Sequence, residues 1–170
     1  NKFQALKNCK KVLKETKCDG IKLEGGRKLN GVIRYLTMNK IPVMGHIGIT
    51  PQTIRGKYRY KGKTNLEKKK LIKDSKSLEE AGVFAIVLEC VERKLSKQIT
   101  ETVKIPTIGI GSSKFCDGQI LVTDDMLGLT ESKIKFVKKY IDLKKNIRQA
   151  VKKFKLDVKK SSYPSIKYSY

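Results

Sequence analysis

Ala85-Ile86-Val87-Leu88-Glu89-Cys90 is the stretch that decides the fold. Its apolar run is too short for a helix and suits a strand buried on both faces, as in a parallel sheet. Side chains alternate along a strand, so Ala85, Val87 and Glu89 share one face. Glu89 then closes a buried strand while facing the same interior as its apolar neighbours. Burial disfavours the charged carboxylate and raises its pKa, which suits a general base. The plainer reading is a strand-end glutamate that reaches solvent or pairs with a lysine.

Outward from this strand the pattern repeats. Upstream, Asn65 to Ala81 reads as a lysine-covered helix with Leu66, Leu71, Ile72, Leu78 and Ala81 inward, ended by Gly82. Before it, Ile41 to His46 reads as a strand closed by the chain's single histidine. A long polar loop follows, from Gly48 through Gly62. Helices are expected over Asn1–Thr16 and Leu29–Met38. Between them lies a short strand, Ile21-Lys22-Leu23-Glu24, ending at Gly25-Gly26. Lys22 and Glu24 share one face of that strand. An opposite-charge pair there fits an exposed edge, whereas the two glycines argue for close approach of backbone or ligand. Downstream, a helix is expected from about Glu92 to Val103, then strands at Pro106–Gly111 and Gln119–Val122, and a long helix from Ser132 to about Lys159. Gly109-Ile110-Gly111 could cradle a phosphate, but tight turns after strands use the same residues. Ser161 to Tyr170 reads as a surface tail.

Strands alternating with helices imply βαβ units and a parallel sheet. Lys22, Glu24, His46, Glu89 and Asp124 all fall at expected C-terminal strand ends, where a (β/α)₈ TIM barrel keeps its active site. Such barrels run to about 250 residues. The expectation is an α/β chain forming strands 4 to 8 and the C-terminal helices of a barrel over residues 1–160, without about the first three strands. The alternative is a doubly wound sheet with its ligand at a switch point.

Composition narrows the function classes. The 170 residues carry 39 Lys and Arg against 16 Asp and Glu, a formal net charge of +23. Lysine dominates, and it is spread over expected helix faces rather than gathered in a stripe. Arginine is confined to positions 27, 34, 55, 59, 93 and 148. No zinc-finger or RNA-recognition signature is present, so nucleic acid is not the expected partner. Cys9, Cys18, Cys90 and Cys116 form no C-x-x-C pair and read as reduced thiols of a cytoplasmic protein. No apolar stretch approaches the ~20 residues of a membrane span, and no signal peptide is visible.

The ordered motifs resemble a known family. Ile21-Lys22-Leu23-Glu24-Gly25-Gly26, the run from Ile41 to Gln52, Ile86 to Val91, Ile105 to Gly111 and Cys116 to Val122 are all similar to those of ketopantoate hydroxymethyltransferases. Tyr163-Pro164 in the tail also fits. The resemblance implies a TIM barrel of the phosphoenolpyruvate/pyruvate type and a decameric homo-oligomer. It implies hydroxymethyl transfer from 5,10-methylenetetrahydrofolate to 3-methyl-2-oxobutanoate, giving 2-dehydropantoate for pantothenate and coenzyme A synthesis, with Mg²⁺ as cofactor. It makes Glu89 the proton acceptor and Lys22 a contact of the keto acid. It puts Glu24 at the metal and His46 in the substrate site. The chain departs from the family at Glu92, where a proline is usual, and at Ser112-Ser113, where Ala-Gly is common. Its loop from Thr53 to Gly62 is shortened relative to that of the family. The family's two metal aspartates and a substrate serine would lie upstream of Asn1. Three other readings stand beside this one: a Mg²⁺-dependent keto-acid lyase on the same barrel, an inactive truncated product, and a basic RNA-binding protein.

Overall fold

The computed structural model describes residues 1–53 and 59–170, so part of the expected loop from Thr53 to Gly62 lies outside the described residues. In chain order the elements are α1 (Lys2–Thr16), β1 (Ile21–Glu24), α2 (Asn30–Met38), β2 (Val43–Gly48), α3 (Asn65–Glu80), β3 (Ala85–Glu89), α4 (Arg93–Thr102), β4 (Thr107–Ile110), β5 (Gly118–Gln119), α5 (Thr123–Met126) and α6 (Leu143–Lys159). They fall into two compact units, Asn1–Ile120 and Leu121–Tyr170.

The first unit holds one parallel sheet in the order β1-β2-β3-β4-β5. The order never reverses, so these strands contain no switch point of the doubly wound kind. Val43 and Ile47 of β2 and Ile86 and Leu88 of β3 join a buried cluster with Ile33 and Leu36 of α2, Leu71 and Leu78 of α3, and Leu95 and Ile99 of α4. A Cβ at Gly45 would come within 2.9 Å of Leu78, which marks this face as the helix face. Alternation sends Lys22, Glu24, Met44, His46, Ala85, Val87 and Glu89 to the other face. Burying both faces of β3 explains why its sequence is a continuous apolar run.

Local chemistry sets the helix starts. Thr64 caps α3 by accepting from the Glu67 amide at 3.2 Å, and the Glu67 carboxylate reaches back to the amides of Gly62 and Lys63. The arrangement resembles a capping box, with the carboxylate reaching the two amides just before the cap. Glu92, expected inside the fourth helix, is instead its cap, accepting from the amides of Lys94 and Leu95 at 3.0 Å each.

Several expectations need correction. Leu66 is not inward but 80% exposed, because the buried stripe of α3 runs through Leu71, Asp74, Ser75 and Leu78. The strand expected over Gln119–Val122 pairs only at Gly118–Gln119, and Asp124 sits in α5 of the second unit rather than at a strand end. No helix separates β4 from β5. Side chains staple the short connection instead: the Asp117 carboxylate accepts from the Thr107 amide at 2.8 Å and from its hydroxyl at 2.9 Å.

In the second unit the helix expected from Ser132 begins only at Leu143, capped by Asp142, which accepts from the Lys145 amide at 3.0 Å. The Tyr140 and Leu143 amides donate to the carbonyls of Met126 and Leu127, which ties that segment to the end of α5. The tail folds back on α6, with the Tyr163 ring 5.4 Å from that of Phe154.

Candidate active site

The sheet register builds the site on the face away from the helices. Glu24 pairs with His46 across β1 and β2, and Gly48 pairs with Glu89 across β2 and β3. His46 therefore stands level with Glu24 and diagonal to Glu89, a spacing long side chains bridge. Its Nδ1 lies 3.6 Å from Glu24 Oε1 and its Nε2 lies 3.1 Å from Glu89 Oε2. Neither contact has hydrogen-bond alignment, so both buried ring nitrogens lack a partner among the described residues. The second oxygen of Glu24 accepts from the Gln52 amide at 3.0 Å.

The electrostatics follow from burial. Desolvation, then the nearby Lys22 charge, hold the His46 pKa below its ordinary value, so the imidazole is neutral at pH 7. Burial pushes the Glu89 carboxyl up; Lys22 opposes that shift and Glu24 adds to it. Glu89 is thus a carboxylate made more basic than usual beside a neutral imidazole. Lys22 is exposed and supplies positive charge to this pair through space.

Gly48 fixes where Glu89 sits. Its φ is +102°, and a Cβ there would lie 2.1 Å from the Glu89 carbonyl oxygen. That carbonyl accepts from the Ile49 amide at 2.8 Å. The next residue, Cys90, has a φ of +49°, and burial pushes its thiol up to about 11, so it is no ready nucleophile.

The structure thus brings together Glu24, His46 and Glu89, with Lys22 on the same face. Asp124 belongs to α5 of the second unit. A Cβ at Gly109 would lie 2.8 Å from the Gln119 side chain, so this glycine makes room for the packing of β5 beside β4. Asp74 is a further polar residue of this region, outside the set expected from the sequence. It is buried in α3 and accepts from both the amide and Nε of Arg27, at 3.1 and 3.2 Å. A signal was available, because Asp74 lies at helical spacing between the inward Leu71 and Leu78.

Magnesium favours hard oxygen ligands and keeps several waters, so it needs only one or two protein carboxylates. Glu24 fits that role: its side chain is 7% exposed, and Oε1 faces an imidazole nitrogen without a hydrogen bond. Among the described residues no three His, Cys, Asp or Glu side chains converge to hold a metal by themselves.

The sequence profile of the family described as "Ketopantoate hydroxymethyltransferase" matches residues 1–166. The chain belongs to that family. It is similar to the 3-methyl-2-oxobutanoate hydroxymethyltransferase of Pelagibacter ubique (strain HTCC1062), 55% identical over 170 residues, which are 100% of this chain and 66% of that protein. The Helicobacter pylori (strain Shi470) protein of the same name is 48% identical over 169 residues, covering 98% of this chain and 63% of its own length. That of Clostridium kluyveri is 47% identical over 171 residues, covering 99% and 61%. The chain thus spans a little under two thirds of the length of these curated relatives. Among the described residues no helix is long and apolar enough to cross a membrane.

Proposed function

We propose that the protein carrying this chain transfers a hydroxymethyl group from 5,10-methylenetetrahydrofolate to 3-methyl-2-oxobutanoate, giving 2-dehydropantoate. The observation that carries the proposal is the Glu24–His46–Glu89 cluster beside Lys22, at the C-terminal ends of adjacent parallel strands. Family membership supports it. The single-direction strand order, with helices on one face and charged groups on the other, supports a (β/α)₈ barrel of which this chain supplies the last five strands. The homo-oligomeric assembly and the cytoplasmic location belong to the same proposal.

The chemistry asks for loss of the C3 proton of the keto acid and for stabilisation of the negative charge left behind. Glu89, made basic by burial, takes the proton on a carboxylate oxygen. Neutral His46, its Nε2 3.1 Å from Glu89 Oε2, adds no positive charge beside the carboxylate that takes the proton. The Lys22 charge lowers the cost of the developing oxyanion. Glu24 would hold Mg²⁺, which when bound supplies positive charge to the keto-acid oxygens.

Titration calorimetry on the full-length protein tests this arrangement. Binding of 3-methyl-2-oxobutanoate should strengthen at least ~10-fold when Mg²⁺ is present, as expected of shared coordination. Equal affinity with and without Mg²⁺ would remove Glu24 from the reaction.

A further inference from the structure

An open groove of about 750 Å³ runs from Glu24 and Gly48 across the turn after β1 to α3. It is larger than a five-carbon keto acid needs and suits a drug-sized molecule. Leu29 and Leu71 give it apolar wall, and Arg27, Lys28 and Lys70 give it positive charge.

Arg27 is built into place. Asp74, with its side chain only 5% exposed, accepts from the Arg27 amide and from Nε, while the Arg27 side chain stays 53% exposed. The backbone allows this approach because Gly26 carries no side chain: a Cβ there would lie 2.3 Å from Asp74 Cγ. A buried carboxylate is costly unless it holds something, and here it holds a guanidinium by its inner nitrogen. The two terminal nitrogens form no hydrogen bond among the described residues. They present the planar fork that binds carboxylates in pairs. Lys70, 3.4 Å from the other Asp74 oxygen, completes the cationic wall.

We infer that Arg27, oriented by Asp74 and assisted by Lys28, binds the glutamyl carboxylates of the folate co-substrate in this groove. The inference rests on the reaction proposed above, since that reaction brings a dicarboxylate of this size to the site. Arg27 touches the ligand, and Asp74 is a positioning residue that acts through it.

The test compares tetrahydrofolate with tetrahydropteroate, which lacks the glutamyl group, by calorimetry on the full-length protein. Wild type should bind tetrahydrofolate about 10-fold or more tighter, a fair value for a charge-assisted carboxylate contact. Lys28→Ala should narrow that ratio. The double variant Arg27→Ala with Asp74→Asn leaves no unpaired buried charge, so it should fold and should abolish the ratio. Exchange of the keto-acid C3 proton without folate should stay within about two-fold of wild type in both variants, because neither touches the proton-transfer groups. Equal binding of the two pterins by wild type would overturn the inference, as would a ratio unchanged in the double variant. Loss of folate-free exchange in both variants would assign the groove to the keto acid instead. Absence of exchange in wild type would strike the proposed reaction itself.

Discussion

The two compact units differ in what surrounds their side chains. In Asn1–Ile120 both faces of β3 are covered, and Ile86, Leu88, Leu95 and Ile99 have essentially no exposure. In Leu121–Tyr170 the long helix α6 buries no residue, and Ile147, Val151, Phe154 and Val158 stand about half exposed. The lesson concerns precision. A carboxylate can be desolvated and aimed only where packing holds the backbone to within tenths of an ångström. The first unit does this at Glu89, whereas the second carries its charges on a solvated surface. The high lysine content belongs to both units and tells nothing about which one holds the chemistry.

The contrast should be largest in stability. Gly48→Ala places a methyl group against the Glu89 carbonyl at a φ of +102°. We expect a loss of roughly 3 kcal/mol, as strain and backbone displacement add. Val151→Ser on the open face of α6 should change stability by less than about 0.5 kcal/mol. Chemical denaturation of the full-length protein compares the two, and similar losses would erase the distinction between the units.

Helix caps give the next effect. Glu92→Gln weakens the cap of α4, a helix that buries Leu95 and Ile99 against the sheet. It should cost about 1 kcal/mol at neutral pH, the usual size for a cap. The amide bonds from Lys94 and Leu95 help hold the Glu92 carboxyl below its ordinary 4.5, against an opposing contribution from desolvation. Its contribution is therefore complete above that value and is lost as pH falls through the lower folded value. Equal melting of variant and wild type at pH 7 would leave the cap without energetic weight.

The smallest effect separates two carboxylates that both titrate low. Asp117 in the first unit is held down chiefly by the Thr107 amide, with the Thr107 hydroxyl adding to it. Glu131 in the second is held down by Lys144 on an exposed surface. Salt near 1 M shrinks the Debye length to about 3 Å and screens exposed pairs. Carboxyl NMR titrations should therefore show the Glu131 pKa returning toward 4.5 in high salt while Asp117 stays low. Parallel shifts of both groups would mean that Asp117, too, is governed by charge.

Much of this was legible in the sequence, for identifiable reasons. The run from Ala85 to Glu89 announced a strand buried on both faces because only such a strand needs apolar residues at every position. Period-two alternation put Glu89 with Val87, and Lys22 with Glu24. The register did not follow from composition. That Glu24 lies opposite His46, and that His46 reaches Glu89 on a diagonal, depends on how three strands slide against one another. Asp74 stayed hidden because an aspartate among lysines on a helix reads as solvated, and its partner Arg27 lies 47 positions away. The helix expected from Ser132 failed because periodicity cannot see tertiary hydrogen bonds, such as those tying Tyr140 and Leu143 to Met126 and Leu127.

If burial makes Glu89 the base for the keto acid, exchange of the C3 proton with deuterated solvent depends on its carboxylate. Glu89→Gln keeps the shape and polarity of the side chain and removes its basicity. In the full-length protein it should slow exchange by ~10²–10⁴, the range for loss of a general base, while keto-acid binding changes far less. Exchange by Glu89→Gln at nearly the wild-type rate would show that Glu89 is not the base and leave His46 as the next candidate.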